Sequence, residues 1–271
     1  MKSIKVMIFG GTAEGRKLAW IHTGNGADVT ISVATGIGEE MLRKGDLPPE
    51  GSRFHTIVGR MDCERMQQVM RGFDLCIDAT HPYAVEASGN IREACSKLGI
   101  EYLRVTREPS ELDLFTMEDA DMLDQDAQLP DLSNASSAEA ACRILLHTAG
   151  NILLTTGSKE LGAFSDIPRE RLYVRVLPTQ AAIEACEENG IPHRNIIAMF
   201  GPFTQKMNEA TFGQYNISYL VTKDSGRSGG FEEKLYAAMN CRVKTIVIRR
   251  PEESGVDVRE AARILQDRTF R

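Results

Sequence analysis

Residues 220–230 read LVTKDSGRSGG, and this stretch decides the fold. In it an apolar run ends in a polar, glycine-rich loop. The loop carries two cations, Lys223 and Arg227, and two serines, one of which is Ser225. A strand that ends in such a loop is typical of the carboxyl edge of an open α/β sheet, where these folds bind ligands. Glycines let the backbone approach an anion, and Lys and Arg neutralise it. The stretch therefore predicts a parallel α/β sheet with an anion site at its edge.

A counterpart lies near the N-terminus, where residues 4–16 read IKVMIFGGTAEGR. Adjacent glycines after a strand permit a tight turn, and the following helix offers free N–H groups and its positive dipole end to a phosphate. The spacing departs from the G-x-G-x-x-G fingerprint, and the lysine of a Walker A loop is absent. The loop predicts nucleotide binding, with a purely structural glycine turn as the alternative. The candidate cofactor-binding residues are Gly10, Gly11, Thr12, Glu14, Gly15, Arg16 and Thr35.

Strands alternate with helices along the whole chain. The predicted strands are short and rich in Val, Ile and Leu, as strands buried on both faces of a sheet are. They cover residues 3–9, 28–34, 54–58, 74–79, 101–105, 151–155, 172–177, 195–200, 217–222 and 243–249. Predicted helices cover residues 13–22, 61–71, 83–98, 136–148, 179–188, 203–212, 230–240 and 257–267. This alternation predicts an α/β fold with parallel sheets and helices on both faces.

The two halves of the chain share a layout. A strand followed by glycine occurs at Gly10 and again at Gly157, and a second such junction follows in each half. We predict two Rossmann-like lobes with a cleft between them: residues 1–134 bind the dinucleotide and residues 135–271 bind the substrate. A shared α/β layout alone would produce much of this spacing, so the sequence leaves open whether the halves arose by duplication.

Composition and charge exclude several classes of protein. The chain has 271 residues, 42% hydrophobic and 26% charged, as a soluble globular protein of two small domains would have. Six scattered cysteines without a Cys-x-x-Cys pair predict neither a disulfide framework nor a zinc site, and we assign no metal. The net charge of −6 argues against nucleic-acid binding. No apolar run reaches the roughly 18 residues of a membrane span, so we expect a cytoplasmic protein without a membrane partner.

Acidic residues are concentrated in one stretch, residues 111–131, which contains eight acids and no Lys or Arg. The rest of the chain is therefore slightly positive, which is compatible with a cationic cleft for an anionic substrate. We expect the acidic stretch to lie away from that cleft. The oligomeric state is not predicted by the sequence.

Two further motifs place polar residues at predicted strand ends. Residues 78–84 read DATHPYA, in which the proline suits the first turn of a helix and the histidine is a candidate hydrogen-bond or proton donor. Residues 155–161 read TTGSKEL, in which the lysine is a candidate anion contact. Helix capping and a solvated lysine are the respective alternatives. The candidate substrate-binding residues are Thr80, His81, Tyr83, Ser158, Lys159, Lys223, Ser225 and Arg227, and no catalytic residue is assigned.

The end of the second strand bears on the choice of cofactor. Rossmann folds specific for NAD place Asp or Glu there, on the ribose 2′-hydroxyl, whereas residues 32–36 read SVATG. The missing acid favours NADPH, with NADH as the alternative. Tyr219 and Lys223 have the spacing of a short-chain dehydrogenase pair, but on a strand such residues lie about 13 Å apart, so we do not assign them that role.

Five motifs occur in a characteristic order: residues 10–15 (GGTAEG), 78–84 (DATHPYA), 157–159 (GSK), 201–203 (GPF) and 222–226 (TKDSG). Together they resemble the precorrin-6A reductase family of cobalamin biosynthesis over nearly the whole chain. The resemblance implies a nicotinamide-dependent reduction of the C18=C19 double bond of a corrin precursor, with a proton added alongside. Aerobic members of the family use the metal-free precorrin and NADPH, and anaerobic relatives act on the cobalt complex. The carboxylates of such a tetrapyrrole suit Lys159, Lys223 and Arg227.

Two alternatives of other classes remain. A methyltransferase of the same pathway would use a glycine-rich loop for S-adenosylmethionine, and a nucleotide-sensing protein would have two Rossmann lobes without catalysis. Binding of NADPH distinguishes a reductase from the methyltransferase, and turnover distinguishes it from the sensor.

Overall fold

Two parallel β-sheets form separate compact units of the chain. The computed structural model describes residues 3–24, 26–43, 51–106, 132–225, 230–251 and 253–269. Unit 1 comprises Met1–Glu108 together with Pro251–Arg271, and unit 2 comprises Pro109–Arg250. The predicted fold class of two Rossmann-like parallel-sheet lobes is confirmed. The acidic stretch 111–131 and Arg227 lie outside the described residues.

Unit 1 contains a five-stranded sheet of order β3-β2-β1-β4-β5, in which every neighbouring pair is parallel. The strands are β1 (Lys5–Phe9), β2 (Asp28–Val33), β3 (Phe54–Val58), β4 (Leu75–Asp78) and β5 (Glu101–Arg104). The helices between them are α1 (Ala13–Gly24), α2 (Gly36–Arg43), α3 (Cys63–Met70) and α4 (Val85–Leu98). Alternate residues of β1 point to opposite faces: Ile8 packs in the core that contains Leu18 of α1, and Met7 in the core that contains Ile91 of α4.

Unit 2 contains a six-stranded parallel sheet of order β6-β11-β10-β7-β8-β9. The strands are β6 (Leu132–Ala135), β7 (Asn151–Leu154), β8 (Leu172–Val176), β9 (Ile196–Ala198), β10 (Ile217–Lys223) and β11 (Lys244–Ile248). The helices are α5 (Ala138–Leu145), α6 (Gln180–Glu188), α7 (Gln205–Gln214) and α8 (Phe231–Cys241). Without β6, the order β9-β8-β7-β10-β11 repeats the strand order of unit 1.

Each sheet is extended at the same edge by a segment from the other half of the sequence. In unit 2, β6 pairs with β11. In unit 1, Val256 forms a parallel bridge with Val105, just beyond β5, and α9 (Val258–Thr269) then packs on α1. The N–H of Val256 donates to Arg104 O at 3.0 Å and the N–H of Thr106 to Val256 O at 2.9 Å. These bonds satisfy backbone groups that an uncovered edge strand would expose.

This exchange differs from the predicted lobe boundary between residues 134 and 135. Pro251–Arg271 belong to unit 1, and β6 belongs to unit 2. All ten predicted strands and all eight predicted helices are found, whereas β6 and α2 were not predicted. The residues of β6 read LSNA, with one large apolar side chain, and α2 begins Gly-Ile-Gly, so both local signals are weak. No helix within the described ranges has the length and apolarity that a membrane crossing requires.

Candidate functional site

The glycine turn after β1 lies at the centre of the sheet of unit 1, between β1 and α1. Gly10 has a φ of 142°. A Cβ atom on Gly10 would lie 2.3 Å from Ala79 O, and one on Gly15 would lie 2.7 Å from Gly10 O, so both positions require glycine for packing. A Cβ on Gly11 would make only ordinary contacts, the nearest at 3.6 Å to Val33 Cγ1. Packing within unit 1 therefore requires glycine at positions 10 and 15 but not at position 11.

The neighbours of these glycines fix the start of α1. Thr12 Oγ1 donates to Ala79 O at 2.8 Å and accepts from Gly15 N at 3.1 Å, which caps the helix. Arg16 Nη1 donates to Gly11 O at 2.8 Å. The first backbone N–H groups of a helix have no partner inside it, and its dipole favours an anion there. The turn can therefore hold a pyrophosphate, while Thr12 and Arg16 maintain its shape.

The end of β2 lies beside the glycine turn, because Gly10 N donates to Ser32 O at 3.0 Å. Thr35, a predicted cofactor residue, is exposed and caps α2 by accepting from Gly38 N at 3.2 Å. Gly59 N donates to Val33 O at 2.9 Å and brings the end of β3 to the same place. Arg60, which follows Gly59, is exposed at this carboxyl edge and was missed by the sequence analysis. Its signal was a strand followed by Gly-Arg.

The turn after β4 rests on a buried ion-pair network. Asp78 is fully buried and pairs with Arg104, whose Nη1 donates to Asp78 Oδ1 at 2.6 Å. Tyr102 Oη donates to Asp78 Oδ2 at 2.9 Å, and burial together with the Asp78 carboxylate raises the pKa of Tyr102. Arg104 also pairs with Glu253 of the C-terminal segment. The network thus joins β4, β5 and the exchanged segment at one edge of the sheet.

Thr80, His81 and Tyr83, the predicted substrate residues of this turn, lie next to the network. Thr80 Oγ1 donates to Asp78 Oδ1 at 2.7 Å and accepts from Arg104 Nη1 at 3.0 Å, so its hydroxyl is already bonded within unit 1. The rings of His81 and Tyr83 contact each other at a tilt of 31°, with centroids 5.4 Å apart, and His81 Nδ1 accepts from Tyr83 N at 3.4 Å. Substrate contact by these three residues stays a prediction.

The second set of predicted substrate residues meets at the carboxyl edge of unit 2. β7 and β10 are parallel neighbours, so the loop with Ser158 and the exposed Lys159 lies next to Lys223 and Ser225. Lys223 Nζ pairs with Glu160 Oε1 at 2.6 Å. Part of the predicted cationic surface is therefore neutralised by a carboxylate of the loop after β7. In the described ranges, no three His, Cys, Asp or Glu side chains gather as they would around a metal ion.

Comparison with known proteins gives a consistent result. A family model described as Precorrin-6x reductase CbiJ/CobK matches residues 5–267. The cobalt-precorrin-6A reductase of Methanococcus maripaludis is 37% identical over 257 residues, which cover 92% of this chain and 92% of that protein. The cobalt-precorrin-6A reductase of Priestia megaterium is 32% identical over 253 residues, covering 91% of each. A solved structure named CobK precorrin-6A reductase matches with a TM-score of 0.71 over 97% of both chains at 22% identity, which supports the fold.

Proposed function

The chain belongs to the precorrin-6x reductase family, and on that premise we propose that it reduces cobalt-precorrin-6A with NADPH, bound by unit 1, while unit 2 binds the tetrapyrrole. The family predicted from the ordered motifs is thereby confirmed, as is an oxidoreductase of cobalamin biosynthesis that acts on a CH–CH group. Neither the methyltransferase nor the nucleotide sensor is supported by any of these relatives. Both relatives described above are named for the cobalt substrate, which supports cobalt over the metal-free ring.

The glycine turn of unit 1 carries the cofactor proposal. Packing does not require a glycine at position 11, which lies just before α1 in the central crevice of a sheet with the order β3-β2-β1-β4-β5, where folds of this kind bind dinucleotides. Close approach of a pyrophosphate to the backbone is a reason for glycine at this position. When bound there, the nicotinamide would supply the hydride for the reduction, and the accompanying proton would come from the protein or from solvent. In this proposal the residues of the turn bind and orient the pyrophosphate.

Arg60 supports NADPH as the form of the cofactor. β2 ends without an acid, and Arg60 is exposed at the adjacent end of β3, where an arginine accommodates a ribose 2′-phosphate. We expect Arg60→Ala to raise KM for NADPH and leave KM for NADH unchanged. Arg53→Ala is the matched control, because Arg53 is exposed just before β3, at the opposite end of the same strand. Equal loss with both cofactors would exclude a 2′-phosphate contact.

The whole proposal is tested by turnover. Wild-type protein is given cobalt-precorrin-6A or metal-free precorrin-6A, each with NADPH or NADH, and kcat/KM is compared across the four combinations. We expect the cobalt complex with NADPH to give the highest value. Gly11→Val should sharply weaken NADPH binding in a folded protein, since a branched side chain would lie where the pyrophosphate approaches the backbone. A folded Gly11→Val variant with normal NADPH affinity would remove this turn from the cofactor site.

A further inference from the structure

One face of the sheet of unit 2 changes from apolar to polar towards its carboxyl edge. The apolar part of this core, beneath α7 and α8, contains Tyr173, Leu220, Phe212 and Ala237. Strands in such folds run towards the carboxyl edge of the sheet, and the helices that follow them run away from it. The next side chain on the same face, closer to that edge, is therefore two residues later in a strand and about one turn earlier in a helix. The four residues at that next level are Arg175, Thr222, Asn208 and Lys234, all buried. The core thus ends in a buried polar layer with two cations.

The two cations of this layer have few partners. Arg175 and Lys234 are each 7% exposed. Arg175 Nη1 donates to Asn208 Oδ1 at 2.7 Å, and Lys234 Nζ donates to Thr222 Oγ1 at 2.9 Å. Among the described residues, neither cation makes another hydrogen bond or an ion pair with a carboxylate. A guanidinium has five N–H donors and an ammonium three, so most of their donor capacity is unused, which is unusual for buried cations.

The charges around Lys234 come from three elements. The pKa of Lys234 is lowered to about 7, mostly by burial and in smaller part by Arg175 on β8, against the opposing effects of Glu233 on α8 and Asp224 after β10. Burial also lowers the pKa of Arg175 to about 10. Asp224 Oδ2 also lies 3.7 Å from Arg250 Nε, so the negative charge of Asp224 is shared with a third cation. An anion that enters this layer would therefore be attracted, and it would restore the charge of Lys234.

Apolar side chains form a rim beyond the polar layer. Leu177 and Phe200 are 47% and 48% exposed, and Met199 is 37% exposed. They follow the ends of β8 and β9, which are joined by the bond from Met199 N to Val176 O at 3.0 Å. From the same loop, the ring of Phe203 packs on Arg175, with the guanidinium carbon 4.0 Å from the ring centroid. An exposed apolar rim over buried cations fits a ligand with an apolar ring and a carboxylate on its edge.

We propose that Arg175 and Lys234 form a buried subsite that binds one carboxylate of the tetrapyrrole, with Leu177, Met199 and Phe200 against the macrocycle. The proposal rests on the function proposed above and adds a contact outside the loops that follow β7 and β10. A carboxylate is favoured over a cofactor phosphate because the apolar rim adjoins the cations and the glycine turn for the cofactor belongs to unit 1. Thr222 and Asn208 hold the two cations in position.

The test compares Lys234→Met with Lys206→Met, which removes an exposed lysine from α7. The Kd of cobalt-precorrin-6A is measured from its absorbance change and the Kd of NADPH from its fluorescence. We expect Lys234→Met to weaken tetrapyrrole binding by roughly 10- to 150-fold, the usual effect of one charge-assisted contact, with NADPH binding and Tm maintained. Lys206→Met should change neither Kd. Arg175→Gln should weaken tetrapyrrole binding in the same way.

The pH dependence adds a second readout. Because an uncharged lysine attracts no carboxylate, wild-type affinity for the tetrapyrrole should fall as the pH rises above about 7, and Lys234→Met should not show this fall. A folded Lys234→Met variant with wild-type tetrapyrrole affinity would overturn the proposal, as would a variant that loses NADPH instead. If wild-type protein binds the tetrapyrrole without transferring hydride and Lys234→Met does not bind it, the proposed function fails and the subsite stands.

Discussion

The two units share a strand order but differ in the partners of their buried cations. In unit 1, Arg104 contacts the carboxylates of Asp78 and Glu253 at the carboxyl edge of the sheet. In unit 2, Arg175 and Lys234 each have a single neutral acceptor among the described residues. A fully paired charge stabilises the position of the chain segments that supply it, whereas a cation without a carboxylate costs stability until a ligand arrives. The edge of unit 1 is thus fixed by its own residues, whereas under our proposal the edge of unit 2 is completed by a carboxylate of the tetrapyrrole.

The largest expected effect comes from breaking the paired network. Arg104→Met would leave the buried Asp78 and the partly exposed Glu253 without this cation, and we expect a loss of about 3–5 kcal/mol in the free energy of unfolding, measured by urea titration. Lys234→Met removes a cation that makes no ion pair among the described residues, so no comparable loss is expected. Arg263→Met, in an exposed pair with Glu260, is the surface control and should leave the unfolding midpoint unchanged. Equal losses for Arg104→Met and Lys234→Met would contradict the contrast between the units.

The pH dependence of stability follows from the depressed pKa of Lys234. The pKa is about 7 in the folded protein and about 10.4 in an unfolded chain, so the unfolded state binds the extra proton between these values. Stability should therefore rise with pH across this window, by at most about 1.4 kcal/mol per pH unit, and should not depend on this group below pH 7. Urea midpoints at pH 7.5 and 9 measure the slope. Lys234→Met should flatten it and Arg104→Met should retain it; equal slopes in wild type and Lys234→Met would contradict the assignment.

Features of the fold that depend on neighbouring residues were predictable from the sequence. The pairing of segments that are distant in the chain was not. The strands and the Gly10 turn depend on residues close together in the chain, so their patterns are visible without a structure. The pairing of Val105 with Val256 joins residues from opposite ends of the chain, and no local pattern encodes it. The predicted boundary therefore assigned the C-terminal segment to the second lobe, whereas Pro251–Arg271 belong to unit 1.

The candidate site was predictable to a similar extent. Strand ends with glycines and cations identified the loops that contain Lys159 and Lys223, because ligands bind at carboxyl edges. The partners of those cations were not visible: Glu160 adjoins Lys223 only once β7 and β10 pair. Arg175 had a signal that the sequence analysis passed over, a lone cation within the apolar strand LYVRV. A charged residue inside a buried strand needs either a partner or a ligand.

The ion pair of Lys223 and Glu160 offers a way to make the edge of unit 2 more positively charged. Glu160→Gln removes the carboxylate and keeps the shape of the side chain, so the charge of Lys223 is less neutralised and attracts a substrate carboxylate more strongly. We expect a lower KM for cobalt-precorrin-6A, and Lys223→Ala should raise KM by roughly 10-fold, the lower end for a charge-assisted contact. KM for NADPH should stay constant in both variants. A Glu160→Gln variant with a raised tetrapyrrole KM would show that the pair acts as a structural unit.

The smallest effect is expected at Lys159, which shares the loop after β7 with Glu160 and is exposed. Contacts between exposed charges are weakened by water and by the entropy of a long side chain, so Lys159→Ala should raise KM for the tetrapyrrole by only roughly two- to fivefold. The rise should shrink with added salt, because exposed charges are screened. Lys206→Ala, which also removes an exposed lysine from unit 2, should leave KM unchanged at every salt concentration. If Lys159→Ala has an effect as large as that of Lys234→Met, and if salt does not reduce it, Lys159 makes a buried contact with the substrate. The distinction between an exposed and a buried cation site in unit 2 would then be lost.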